Sequence, residues 1–240
     1  MTTMKTPYSP LLIITFFLSF SLAAQQQDSV ANILAGSTQA GQKKFLSSRS
    51  LIAPSVFIGY GFATLKTHAF QSVNKQISIE VMEDASGFKT KADDYLKYLP
   101  VASVYALDAM GIKGKHNFAD RTIVLAMSTV LSAQVVTALK HSTHQLRPDG
   151  STYNSFPSGH TTTAFIGAEL MNQEYGSRSP WYSVAGYTLA AATGAMRIMN
   201  NRHWLSDVLT GAGLGILSTK FSYWLYYKLK PVITHKKTTY

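Results

Sequence analysis

Three short segments carry the residue types that could handle an anion. The first is Lys140-His141-Ser142-Thr143-His144-Gln145-Leu146-Arg147-Pro148, with a lysine and an arginine seven residues apart at the end of an apolar run. Seven residues is close to two helical turns, so on a helix both side chains leave one face. Two cations converging at a helix end make an anion clamp; read alone, they are equally two solvated side chains near the last carbonyls. Pro148 and the Asp149-Gly150 turn then end the helix. The second segment is Ser155-Phe156-Pro157-Ser158-Gly159-His160-Thr161-Thr162-Thr163, which leads into the apolar run Ala164–Ala168 and reads as a helix start. Free N–H groups at such a start bind phosphate. Gly159 allows close backbone approach, Ser158 adds a hydroxyl and His160 follows directly; the plainer reading is an ordinary cap with an incidental histidine. The third segment runs from Arg197 to Asp207. His203 and Asp207, four apart, share a face if the segment is helical. The carboxylate can then take the imidazole Nδ1 proton and leave Nε2 free to attack, or the two can form a structural pair. Arg197 adds a third cation.

These residues need a scaffold, and the hydropathy pattern predicts an all-α one. Thr122–Leu139 and Ser179–Met196 are uncharged runs of 18 residues, and Val208–Tyr227 is interrupted only by Lys220. The last two are rich in Gly, Ala, Ser and Thr, which suits close helix packing. Tyr95–Met110 reads as a short apolar helix broken by Pro100, and 111–121 as a basic loop. Upstream, Ser50–Leu65 is one further apolar stretch, residues 66–94 are mixed and charged, and 25–50 are polar and loosely patterned. Lys5 followed by the apolar run Leu11–Leu22 and small residues to Ala23 has the form of a secretory signal, the alternative being an uncleaved membrane anchor; either exports the chain that follows. The expected organisation is a signal over 1–23, a lead-in over 24–94 with one apolar helix, a catalytic domain over 95–227 and a basic tail over 228–240.

Composition narrows the partners. The chain has 22 Lys+Arg against 12 Asp+Glu, a formal charge of +10, which favours an anionic partner. The cations sit in loops and at helix ends without an aromatic-interleaved patch, which argues against nucleic acid. With no cysteine, thiol catalysis, thiolate metal sites and disulfides are excluded. His141 and His144 are at most a weak metal pair; His68, His116 and His235 suggest no role, and most of these remaining histidines are expected to be exposed. If Lys140 and His203 face outward, the basic segments 111–121 and 228–237 both fall on the inner side, as membrane-spanning helices would require; the apolar runs equally fit buried helices of an exported globular bundle.

Taken together, the three segments resemble the signature of the type 2 phosphatidic acid phosphatase family, which is related to the vanadium haloperoxidases. The pattern is Lys, six residues, Arg-Pro; then Pro-Ser-Gly-His; then Ser-Arg, five residues, His, three residues, Asp. Here it reads Lys140…Arg147-Pro148, Pro157-Ser158-Gly159-His160 and Arg197…His203…Asp207, within residues 95–227. The resemblance implies a membrane-associated helical bundle and a phosphatase needing no metal or other cofactor. Lys140, Arg147, Arg197, Ser158 and the Gly159 N–H would hold the phosphate. His203 would attack phosphorus, Asp207 would orient it and His160 would protonate the leaving oxygen. Two departures stand out: Met196 replaces the family serine, and only eight residues separate Pro148 from Pro157. Apolar helices beside an exported site imply a phosphorylated lipid on the periplasmic face of a bacterial membrane. Lipid A is preferred over undecaprenyl pyrophosphate, phosphatidylglycerol phosphate and phosphatidic acid. The competing readings are a vanadium-dependent haloperoxidase and a non-catalytic phospholipid-binding membrane protein.

Overall fold

The computed structural model describes residue 46 and residues 48–235. The proposed signal segment lies outside the described residues, as does the end of the basic tail. Eight helices and no strand are present among the described residues: α1 (Ser48–Lys66), α2 (His68–Asp84), α3 (Ala92–Leu96), α4 (Leu99–Ala109), α5 (Phe118–Thr143), α6 (Gly159–Tyr175), α7 (Pro180–Met199) and α8 (Leu205–His235). The protein is all-α.

The helix starts follow local chemistry. Asn117 caps α5 by accepting from the Asp120 N–H at 2.8 Å. Ser158 and Ser179 cap α6 and α7 in the same way, with Pro180 in the first turn of α7. Pro100 likewise sits in the first turn of α4, so it starts that helix where the sequence suggested a break. Arg121, assigned from sequence to a basic loop, lies inside α5.

The centre of the bundle is α6, buried on nearly all sides between α7 and α8. Glycines bring α8 close to its neighbours. A Cβ on Gly211 or Gly215 would come within 2.6 Å of a carbonyl oxygen of α6 or its cap, and one on Gly213 within 2.6 Å of the Pro54 carbonyl in α1. Helices α1 and α2 therefore pack on the bundle, where the sequence predicted a lead-in with one helix. Inside, Glu169 is fully buried and pairs with Lys220 at 3.0 Å. At the end of α6 away from Gly159, buried Glu174 pairs with part-buried His116 at 2.8 Å.

Helix α5 differs from the others. It is the one described helix long and apolar enough to cross a membrane, and 22% of its apolar window is buried. Phe118, Ile123 and Val130 are exposed on it. The uncharged runs in α7 and α8 contribute much of the buried core.

Candidate active site

The start of α6, the start of α8, the end of α7 and the loop after α5 meet at one end of the bundle. His203 lies two residues before α8, so the pair with Asp207 forms across the helix start and not along one helical face. His203 Nδ1 is 3.4 Å from Asp207 Oδ2. That carboxylate oxygen also accepts from the Trp204 N–H at 2.9 Å and from the Ser155 hydroxyl. Ser155 Oγ is 3.5 Å from His203 Nδ1, so serine and carboxylate both face the Nδ1 edge of the ring. Asn74 of α2 adds a brace: its Oδ1 accepts from the Ser206 N–H at 3.1 Å and its Nδ2 donates to Ser206 Oγ at 2.9 Å. An otherwise orphaned N–H of the first turn of α8 is thus satisfied.

The cations arrive from different directions. Helix α5 ends at Thr143, with His144 in the left-handed region (φ 45°), so Arg147 is in the following loop. Lys140 and Arg147 therefore do not share a helical face, as their spacing had suggested. Asn154 gathers them: Lys140 Nζ donates to its carbonyl and Arg147 Nε to its Oδ1 at 2.9 Å. Lys140 Nζ also reaches the Ser155 carbonyl at 3.4 Å, next to the Asp207 contact. Arg197, buried near the end of α7, is held by Asp93 Oδ2 at 2.5 Å, while its Nε has no hydrogen-bond partner. The Ser158 N–H donates to the Asp207 carbonyl at 3.0 Å, tying the cap of α6 to the start of α8.

Arg147, His160 and Arg197 line one cavity of about 860 Å³, together with Asp93, Asp94, Arg202 and the 88–91 segment. Burial drives the His203 imidazole down to about 4, and the Arg197 and Lys140 charges push in the same direction against Asp207. His203 is therefore neutral, with a ring nitrogen able to act as a nucleophile at ordinary pH. Burial also lowers His160, which the Asp94 carboxylate partly offsets.

Asp93, Asp94 and His160 are the one group of three among the described residues whose potential metal-ligating atoms lie within 4.8 Å of one another. Their partners do not suit a cation. Asp93 is taken by Arg197, and the Lys97 ammonium lies 3.2 Å from His160 Nε2. Sequence reasoning missed Asp93, Asp94, Lys97, Asn154 and Asn74, and quoted Ser155 without giving it a role. Only the tertiary fold brings them to the site. Met196 is half-buried and offers no hydroxyl where the family pattern has serine.

Gly159 has room for a side chain: a Cβ there would meet only Val136 Cγ1, at 4.0 Å. The fold does not need glycine at this helix start, so a loss of activity on adding a Cβ would point to a ligand that approaches the N–H. Gly159→Ala is expected to leave the melting temperature unchanged or raised. Phosphate release should fall by about ten- to a hundred-fold, the scale associated with misplacing a substrate by about 1 Å. Parallel melting and rate measurements check both halves of this expectation.

A sequence model of the PAP2 superfamily matches residues 121–231. The chain is also 49% identical over 142 residues to a Porphyromonas gingivalis protein named lipid A 1-phosphatase. That stretch is 59% of this chain and 32% of that protein, so the match spans about a third of the relative's length. No solved structure matches the chain.

Proposed function

We propose that this chain, whose residues 121–231 match a sequence model of the PAP2 superfamily, is a phosphatase that removes a phosphate monoester from an amphiphilic lipid through a phosphohistidine on His203. One observation carries the reading: the charges of Arg197 and Lys140, from separate helices, bear on a buried, neutral histidine whose Nδ1 edge faces a buried carboxylate, and Arg147 shares a cavity with Arg197 and His160. Phosphoryl transfer depends chiefly on charge stabilisation and in-line positioning, and Lys140, Arg147, Arg197 and the start of α6 offer both.

In the first step His203 Nε2 attacks phosphorus while Asp207 and Ser155 hold the Nδ1 edge. The bond from phosphorus to the substrate oxygen breaks, and His160 gives that oxygen a proton. In the second step water attacks phosphorus, its proton passes to His160, and His203 is released with inorganic phosphate. The exposed apolar face of α5 supports membrane association, with the site on the periplasmic side. The name of the relative, a lipid A 1-phosphatase, makes lipid A the preferred substrate.

The test is phosphate release by the purified full chain from lipid A, undecaprenyl pyrophosphate, phosphatidylglycerol phosphate and phosphatidic acid, with EDTA present throughout. Release from lipid A is expected to survive chelation and to be inhibited by vanadate, which mimics the phosphorus centre. Activity lost in EDTA and restored by Mg²⁺ or Zn²⁺ would sink the metal-free mechanism; release from the other lipids alone would remove lipid A.

A further inference from the structure

The site contains a second aspartate–histidine contact. His160 Nε2 lies 2.6 Å from Asp94 Oδ1, close even for a charge-assisted N–H···O hydrogen bond. Asp94 sits on α3, outside residues 121–231 and far from His160 in sequence. The neighbouring residue fixes that helix in place: Asp93 is buried and binds Arg197 at 2.5 Å, and Asn200 reaches Asp93 Oδ1 at 3.2 Å and the Thr90 carbonyl at 2.9 Å. One short helix thus contacts both a phosphate-holding arginine and the histidine assigned to the leaving group. His160 Nδ1 has no hydrogen-bond partner among the described residues, and His160 lines the 860 Å³ cavity.

Building on the phosphatase reading, we infer that Asp94 is a positioning residue: it accepts the Nε2–H of His160 and so presents Nδ1–H to the oxygen that leaves phosphorus. The proton then has a closed path. It passes from Nδ1 to the leaving oxygen as the P–O bond breaks and the bond from phosphorus to His203 Nε2 forms. It is replaced on Nδ1 from the attacking water as that P–N bond breaks. Throughout, Nε2–H stays with Asp94.

A general acid must be charged before it acts, and four charged groups bear on this imidazole. Asp94 and Asp93 favour its protonation, while Arg197 and Lys97 oppose it along with burial. Of these, Asp94 is the one hydrogen-bonded to the ring through a carboxylate. Removing its charge lowers the imidazolium pKa, so the basic limb of the rate profile should move to lower pH.

The experiment compares an alkyl phosphate with p-nitrophenyl phosphate, using the wild-type full chain, Asp94→Asn and Asp94→Glu. Aryl oxide leaves without protonation, so the ratio of the two rates isolates the acid step. The ratio is also independent of the fraction of each preparation that is folded. Asp94→Asn should lose about ten- to a hundred-fold on the alkyl substrate, the usual cost of losing an orienting partner, and far less on the aryl one. Its basic limb should shift down in pH, and Asp94→Glu should recover part of the alkyl rate. Equal losses on both substrates with an unchanged pH profile, or no loss at all, would overturn the inference while leaving the phosphatase reading intact. A wild-type chain that releases phosphate from neither substrate nor from any of the four lipids overturns both.

Discussion

Replacing His203 by alanine should reduce phosphate release by at least roughly a thousand-fold on every substrate, because loss of a nucleophile disables the whole catalytic unit. His160→Ala should behave differently. Loss of a general acid typically costs about 10²–10⁴-fold, and that cost should shrink for an aryl phosphate, whose oxide needs no proton. Rates of both variants on aryl and alkyl phosphates check the assignment. If the aryl substrate rescues His203→Ala and not His160→Ala, the two roles are reversed. The pH dependence follows from burial. His203 titrates near 4, so its attacking form persists down to about that pH, and the acid limb of kcat/KM should lie well below that of an exposed imidazole.

Arg197→Ala should damage both catalysis and the fold. Removing one preorganised donor to a developing charge costs about 10²–10³-fold in rate. The same change strands Asp93, which is buried against the guanidinium at 2.5 Å. Breaking one side of a buried pair costs about 3–5 kcal/mol, a drop in melting temperature on the order of 10 °C for a chain of this size. The variant should also show a changed acid limb. Arg197 opposes protonation of His203, so without it the imidazole takes a proton more readily and the limb moves up in pH. Melting curves and rate profiles read these effects separately. A variant with wild-type stability would mean that Asp93 does not depend on the arginine.

The helical class was legible because the long uncharged runs have no strand alternation, and each became a helix. Lys140, Arg147, Ser158, Gly159, His160, Arg197, His203 and Asp207 stand out in the sequence because the order and spacing of the three segments together match one family pattern. Their geometry could not be read in the same way. Helical spacing placed Lys140 and Arg147 on one face, but His144 turns left-handed and the two meet through Asn154. His203 and Asp207 are four apart, yet the helix begins between them. Asp93, Asp94 and Asn74 gave no signal because their partners lie about 60 to 130 residues away, a distance bridged only by tertiary packing. Their segment, mixed and charged, read as a lead-in. The apolar runs alone fit spanning and buried helices equally: α7 and α8 contribute much of theirs to the buried core, whereas half of the run in α5 is exposed.

The claim on which the rest depends is a phosphoryl group carried by His203. It can be tested by mixing the full chain with ³²P-labelled substrate and quenching in alkali, which preserves a phosphoramidate that acid would cleave. The expected result is protein-bound label that is stable to alkali, lost in acid, located to the peptide containing His203 and absent from His203→Ala. Acid-stable label, or label that persists undiminished in His203→Ala, would contradict the account.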